Sequence, residues 1–160
     1  PRLEKSLGFL KEIFTKDVDY VYVTRIDSDD MFHRKAIEEI RSIEPRYGTA
    51  LIFGDGYIYN SESQALAEWK PKTNPPFHTI MFRSTNVFFN AKSHLEYFRY
   101  WRSHEDTPRT WNTIKLSDGK YCVFAQNPKY HISTIWEHPF KGKEITENNS
   151  EILRDFGILI

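Results

Sequence analysis

Residues 20–30 of the chain read YVYVTRIDSDD, and this stretch decides the predicted fold. Its first part, Tyr20 to Ile26, is rich in β-branched and aromatic residues, which is typical of a strand buried on at least one face. Four polar residues, Asp27 to Asp30, follow without a gap. Residues 33–44 come next and carry apolar side chains at helical spacing, namely Ala36, Ile37, Ile40 and Ile43. The sequence therefore predicts a strand, an acidic turn and a helix, in that order.

The acidic turn has the composition of a metal site. Carboxylates crowded at the end of one strand repel each other, and a divalent cation removes that penalty. Magnesium and manganese take oxygen ligands, often one or two carboxylates together with substrate phosphates. In open α/β sheets, ligands bind beyond the carboxyl ends of the strands. The segment Asp27 to Asp30 is therefore a candidate site for a cation and a ligand.

A second interpretation of the acidic turn needs no metal. Ser28, Asp29 or Asp30 could cap a helix, which typically stabilises it by ~1 kcal/mol. That helix is expected to begin near Phe32, and acids in its first turn would also suit the helix dipole. A cap uses one acid and leaves Asp27, at the strand end, unexplained. The residues alone leave both interpretations open.

The rest of the chain predicts an α/β domain that spans residues 1–160. An amphipathic helix is expected over residues 2–16, an aromatic-rich helix over 93–102 and a weakly helical tail after 141. A loop is expected over residues 71–76, because two consecutive prolines exclude a central strand. Further strands are expected at 51–53, 57–59, 66–69, 79–82, 87–89, 121–125 and 131–136.

Bulk composition excludes two classes of function and indicates a compartment. Lys plus Arg and Asp plus Glu number 22 each, so the net charge is zero, which argues against binding nucleic acid through bulk electrostatics. No apolar run approaches the roughly 20 residues of a membrane helix, so no transmembrane segment is expected. The single cysteine, Cys122, excludes an internal disulfide and is compatible with a reducing, cytoplasmic environment.

The acidic turn also carries a family resemblance. Residues 23–32, VTRIDSDDMF, resemble the Asp-X-Asp segment of glycosyltransferases with the GT-A fold, and are similar in particular to the rhamnosyltransferase-like group. The likeness continues through residues 56–59 and 74–80 and covers most of residues 18–138. It implies a GT-A-like mixed sheet with flanking helices. One predicted helix and one strand precede the acidic turn, and the chain does not begin with Met. We therefore expect a fragment that lacks much of the N-terminal nucleotide-binding region.

What the resemblance implies is a metal-dependent glycosyltransferase that moves a sugar from a nucleotide-sugar donor to a saccharide or related acceptor, as in polysaccharide biosynthesis. The implied cofactor is Mn²⁺ or Mg²⁺. Carried over, Asp29 is the metal ligand, and Asp27 contacts the metal or the ribose of the donor. Relatives often complete the metal shell with a late histidine, and His131 or His138 could serve here; we choose His131.

Two further residues are candidates with open alternatives. Arg25 is expected to bind a donor phosphate, or else to pair with Asp27. Asp106 is the candidate catalytic base for the acceptor hydroxyl, since Glu105-Asp106 is similar to an acidic pair in some relatives. The alternative for Asp106 is a solvated loop after a helix.

Two rival functions belong to other classes. The chain could be a non-catalytic carbohydrate-binding or scaffold module derived from such an enzyme, which the missing donor-binding half favours and the intact acidic cluster opposes. It could also be a metal-dependent phosphoryl-transfer or hydrolytic enzyme. The sequence contains no glycine-rich phosphate motif to support that third hypothesis.

Overall fold

The computed structural model describes part of the chain, namely residues 18–26, 30–69, 77–83, 104–116, 122–126, 145 and 148–159. The predicted elements at 2–16, 71–76, 87–89, 93–102 and 131–136 lie outside these residues. In chain order the strands are β1 (Tyr20–Arg25), β2 (Asp30–Phe32), β3 (Thr49–Phe53), β4 (Gly56–Asn60), β5 (Ala65–Trp69), β6 (His78–Arg83), β7 (Asn112–Leu116) and β8 (Cys122–Gln126). The helices are α1 (Ala36–Ser42), α2 (Thr107–Thr110) and α3 (Asn149–Asp155), and a 3₁₀ turn, His104–Asp106, precedes α2.

The first of two four-stranded sheets, sheet A, has the order β1-β6-β3-β7. β6 is antiparallel to both of its neighbours, whereas β3 and β7 pair in parallel. β1, β3 and β7 therefore run in the same direction, and their carboxyl ends meet at one side of the sheet. We call this side the carboxyl edge; Arg25, Phe53 and Leu116 end there, and His78 of β6 begins there.

The second sheet, sheet B, has the order β2-β8-β4-β5. β4 and β8 are parallel, and β2 and β5 are antiparallel to them at the two sides. The expected turn at residues 54–56 does separate two strands. β3 lies in sheet A and β4 in sheet B, so this turn passes the chain between the sheets. The fold is thus mixed α/β, with more strand than helix among the described residues.

Alternation along β3 shows why this strand is buried on both faces of sheet A. All five residues of β3 are buried. Leu51 and Phe53 pack with Ala36 and Ile40 of α1 in one cluster, and Ala50 packs in a second cluster with Val21, Ile80, Phe82 and Trp111. Successive strand residues point to opposite faces, so each cluster lies on its own side of the sheet.

The helix predicted over residues 33–44 is shorter than expected. α1 spans Ala36–Ser42, and Ala36 and Ile40 are its buried residues. Ile37 was expected on the apolar face, but it is 55% exposed. The three residues before the helix's lead-in instead form β2, because Asp30–Phe32 pairs with β8. Residues 33–35, which were expected in the helix, form the connection between β2 and α1.

The helical tail is confirmed at α3, and its end follows from sequence. Gly157 adopts φ +80° after the helix. The N–H of Ile158 then donates to the carbonyl of Leu153 at 2.9 Å, and the N–H of Gly157 to that of Arg154 at 3.0 Å. This is the Schellman arrangement, which glycine favours because it has no Cβ. No helix among the described residues is long and apolar enough to cross a membrane.

Candidate functional site

The carboxyl edge places a basic and an imidazole side chain opposite each other. Arg25, the last residue of β1, is the register partner of His78 in β6, and His78 is also opposite Ile52 of β3. Directly opposed residues of antiparallel strands point to the same face of the sheet. His78 is completely buried, and Arg25 is half-buried. Next to this pair, the hydroxyls of Thr24 and Thr79 are hydrogen-bonded at 2.8 Å, so polar side chains are grouped where β1 ends and β6 begins.

A second polar residue reaches this edge through the crossing between the sheets. The N–H of Phe53 donates to the carbonyl of Phe77 at 3.2 Å, and the N–H of Gly54 donates to that of Leu116 at 3.4 Å. These bonds hold the crossing against the start of β6 and the end of β7. Asp55 follows at once and is half-buried.

The acidic segment connects the carboxyl edge to sheet B. Its described member, Asp30, begins β2 and is 6% exposed. Phe32, two residues later, packs against the rings of Phe53 and Phe77 at centroid distances of 5.5 and 5.4 Å. The chain therefore leaves sheet A at Arg25 and re-enters the fold beside the same edge. Asp27, Ser28 and Asp29 lie between these points, outside the described residues.

Burial of the Asp30 carboxylate has an energetic cost that its surroundings must offset. Removing a carboxylate from water costs several kcal/mol unless donors or a cation offset the loss. Solubility therefore does not explain why an acid occupies this buried position. Sheet register puts Asp30 in one row with Ile58, through β8.

The helix-cap interpretation fails for Asp30. The N-cap position of α1 is Lys35, no side chain caps this helix, and Asp30 lies within β2. The expected helix start near Phe32 is wrong for the same reason. A three-residue strand and a turn stand between the acids and α1, so capping does not account for the acidic cluster.

Carboxylates and imidazoles are ligand types that Mn²⁺ accepts in proteins. His78 lies on the same face of sheet A as Ile80, however, whereas Phe32 packs against Phe53 on the other face. Within the described part of the chain, no three His, Cys, Asp or Glu side chains are grouped as a metal site. The predicted ligands Asp27, Asp29 and His131, and the alternative His138, are outside that part and stay predictions.

The structure places Asp106 away from the carboxyl edge. Asp106 ends the 3₁₀ turn before α2, and the N–H of Trp111 donates to the carbonyl of Thr107 at 2.9 Å. Asn112 then starts β7 opposite Thr49, the first residue of β3. Asp106 therefore lies by the amino ends of these strands, away from the carboxyl edge. Its carboxylate is 3.7 Å from Arg109 Nη1. As a catalytic base it stays a prediction that the fold does not favour.

Sequence reasoning missed His78 and Asp55 as edge residues. Both follow a Gly- or Pro-containing break and adjoin a buried strand, which is a detectable signal. Their proximity to Arg25 depends on strand register, which local sequence does not give.

Comparisons with protein-family models, with curated proteins and with solved structures find no match to this chain. The function is therefore argued from the edge itself.

Proposed function

We propose that this chain belongs to a metal-dependent glycosyltransferase of GT-A type. It would transfer a sugar from a nucleotide-sugar donor to a saccharide or related acceptor, with Mn²⁺ or Mg²⁺ as cofactor. The observation that carries the proposal is the position of the acidic segment. It follows β1 at the carboxyl edge of a mixed sheet, where α/β folds bind ligands.

Two further observations support this proposal. Capping, the main competing explanation of the acids, does not apply to Asp30. In addition, β6 runs against β1, β3 and β7, so sheet A is mixed, as the GT-A resemblance implies.

In this proposal, residues of the chain have the following roles. Asp29 and Asp27 hold the metal, Asp27 also contacting the donor ribose, and His131 completes the ligand set. Arg25 donates hydrogen bonds to the donor phosphates from the end of β1. When bound, the metal stabilises the diphosphate leaving group as a Lewis acid.

One observation favours the non-catalytic alternative. Asp106, the candidate base for the acceptor, lies by the opposite edge of sheet A. A carbohydrate-binding or scaffold module would need no base.

Donor turnover separates the two functions. The protein would be incubated with a panel of nucleotide sugars and saccharide acceptors, with Mn²⁺ or with EDTA, and release of nucleoside diphosphate would be measured. Mn²⁺-dependent release supports the transferase. Binding of a saccharide without metal-dependent binding or turnover of a nucleotide sugar supports the module. The absence of both binding and release contradicts both functions.

A further inference from the structure

The carboxylate of Asp155, at the end of α3, contacts the two residues that follow β2. Asp155 Oδ1 lies 3.0 Å from Arg34 Nε, and its Oδ2 lies 3.3 Å from His33 Nε2. The backbone N–H of Arg34 also donates to the carbonyl of Asp155 at 2.9 Å. Three contacts thus join a single helical residue to two consecutive residues of the chain.

The histidine in this group is oriented from both sides. The N–H of Lys35 donates to His33 Nδ1 at 3.1 Å, so Nδ1 acts as an acceptor and Nε2 carries the proton that faces Asp155. The ring also lies edge-on to Phe156, with centroids 5.3 Å apart. His33 is therefore a fixed, directional partner of Asp155, and Arg34 supplies the positive charge.

Apolar contacts join the same elements. Leu153 is fully buried and Phe156 is 7% exposed, and both pack with Tyr59 and Leu66 of sheet B. Met31, the central residue of β2, contacts this cluster as well. α3 and β2 thus contribute to one apolar cluster, and Asp155 contacts the two residues that follow β2.

β2 is the element that most needs this support. It has three residues and pairs with β8 along them. Strands this short are at the lower limit of what sheets contain, and pairing alone holds them weakly. Asp30, the last residue of the acidic segment, begins β2, so any displacement of β2 also displaces Asp30. Metal and ligand sites require their residues to be held within about 0.5 Å.

Local helix energetics do not explain a carboxylate at Asp155. The residue lies in the last turn of α3, where a negative charge opposes the helix dipole. Glu151, in the first turn, has the favourable position. The side chain of Asp155 is therefore explained by its partners outside the helix.

We propose that α3 is a clamp for the strand that follows the acidic segment, and that Asp155 is a positioning residue for the metal site. The second half of this inference rests on the proposed function. The clamp acts through the contacts of Asp155 with His33 and Arg34.

The test compares the wild-type chain with Asp155→Asn, Asp155→Glu and the matched control Glu151→Gln, which removes one exposed carboxylate from the same helix. Amide hydrogen exchange of residues 30–32 reports the order of β2. Mn²⁺ titration well below each melting temperature reports the affinity of the folded protein, which a loss of global stability alone would not change.

For Asp155→Asn we expect amide protection of residues 30–32 to fall by about tenfold, since β2 would open locally. The dissociation constant for Mn²⁺ should rise by about tenfold, the lower end of the effect of removing an outer-shell partner. Asp155→Glu should recover part of both losses, and Glu151→Gln should match the wild type.

Unchanged exchange in Asp155→Asn would overturn the clamp. Faster exchange with unchanged Mn²⁺ affinity would overturn the positioning role. If the wild type binds no Mn²⁺, the proposed function and the positioning role both fail, and the exchange data still decide separately whether α3 holds β2.

Discussion

His78, the first residue of β6, lies directly opposite Arg25, the last residue of β1, and is completely buried. β1 ends at this pair, and the acidic segment follows Ile26 in the sequence. β6 is also the strand that joins β1 to β3, because it pairs with both. The carboxyl edge therefore depends on the start of β6.

Replacing His78 tests this dependence. His78→Ala removes a fully buried side chain between two paired strands, and we expect it to lower the free energy of unfolding by about 2–4 kcal/mol. Arg83→Ala, at the exposed end of the same strand, should change it by less than about 0.5 kcal/mol. Urea unfolding of both variants measures the difference; equal effects would show that His78 does not support the edge.

Tyr22 gives the fold a dependence on alkaline pH. Its hydroxyl donates to the carbonyl of Ile43 at 3.3 Å. Burial raises the pKa of this phenol above its ordinary 10.0; Arg41 opposes the shift and Tyr20 adds to it. The folded state thus holds the proton more tightly than the unfolded state. This contribution to stability is fully present below pH 10 and is lost as pH rises through the folded-state pKa.

Tyr22→Phe should remove both the hydrogen bond and this pH dependence. We expect a loss of about 1 kcal/mol at pH 7 and a smaller further loss than the wild type above pH 10. Chemical unfolding between pH 7 and pH 11 measures both quantities. Parallel curves for the two proteins would contradict the assignment to Tyr22.

Two glycines, Gly157 after α3 and Gly54 between β3 and β4, form a matched pair for substitution. A Cβ on Gly157 or on Gly54 would meet no atom within 4 Å, and Gly157 has φ +80°. Gly157→Ala should therefore cost about 1 kcal/mol through backbone strain alone. Gly54→Ala should cost less than about 0.5 kcal/mol. Thermal unfolding measures both, and similar losses would mean that Gly157 is not needed for its conformation.

The variant Asp106→Asn tests whether Asp106 is the catalytic base, as the resemblance implies, or lies away from the site, as the fold indicates. From its position by the amino ends of β3 and β7, we expect nucleoside diphosphate release to stay within about twofold of the wild type, because a group that touches no substrate transfers no proton to it. Stability should change by less than about 1 kcal/mol, since the ion pair with Arg109 is exposed. A loss of release by a hundredfold or more would restore Asp106 as the base.

Many of the strands could be predicted because their local composition is typical of strands. β1, β5, β6 and β8 coincide with runs of β-branched, aromatic or other apolar residues, and α3 with a periodic tail. β2 could not be predicted in the same way. Its three residues precede a helical pattern, and only pairing with β8, some 90 residues away in sequence, makes them a strand. β7 alternates weakly and was also missed.

The candidate site was predictable in part for a related reason. Crowded acids after a strand are a local signal, and their expected position at a strand end agrees with where β1 stops. The opposition of Arg25 and His78 arises from register between strands more than 50 residues apart, which no local pattern specifies. A different long-range pairing, that of β7 with β3, places Asp106 by the other edge.

The central claim is that the acidic segment binds a divalent cation together with a nucleoside diphosphate. The most direct test is calorimetric titration with Mn²⁺ and then with a panel of nucleoside diphosphates, for the wild type, Asp29→Asn and the control Asp19→Asn. Asp19 is an exposed acid just before the amino end of β1. We predict metal-dependent nucleotide binding in the wild type and in Asp19→Asn, and its loss in Asp29→Asn. Binding that survives in Asp29→Asn, or is missing from the wild type, would contradict the account.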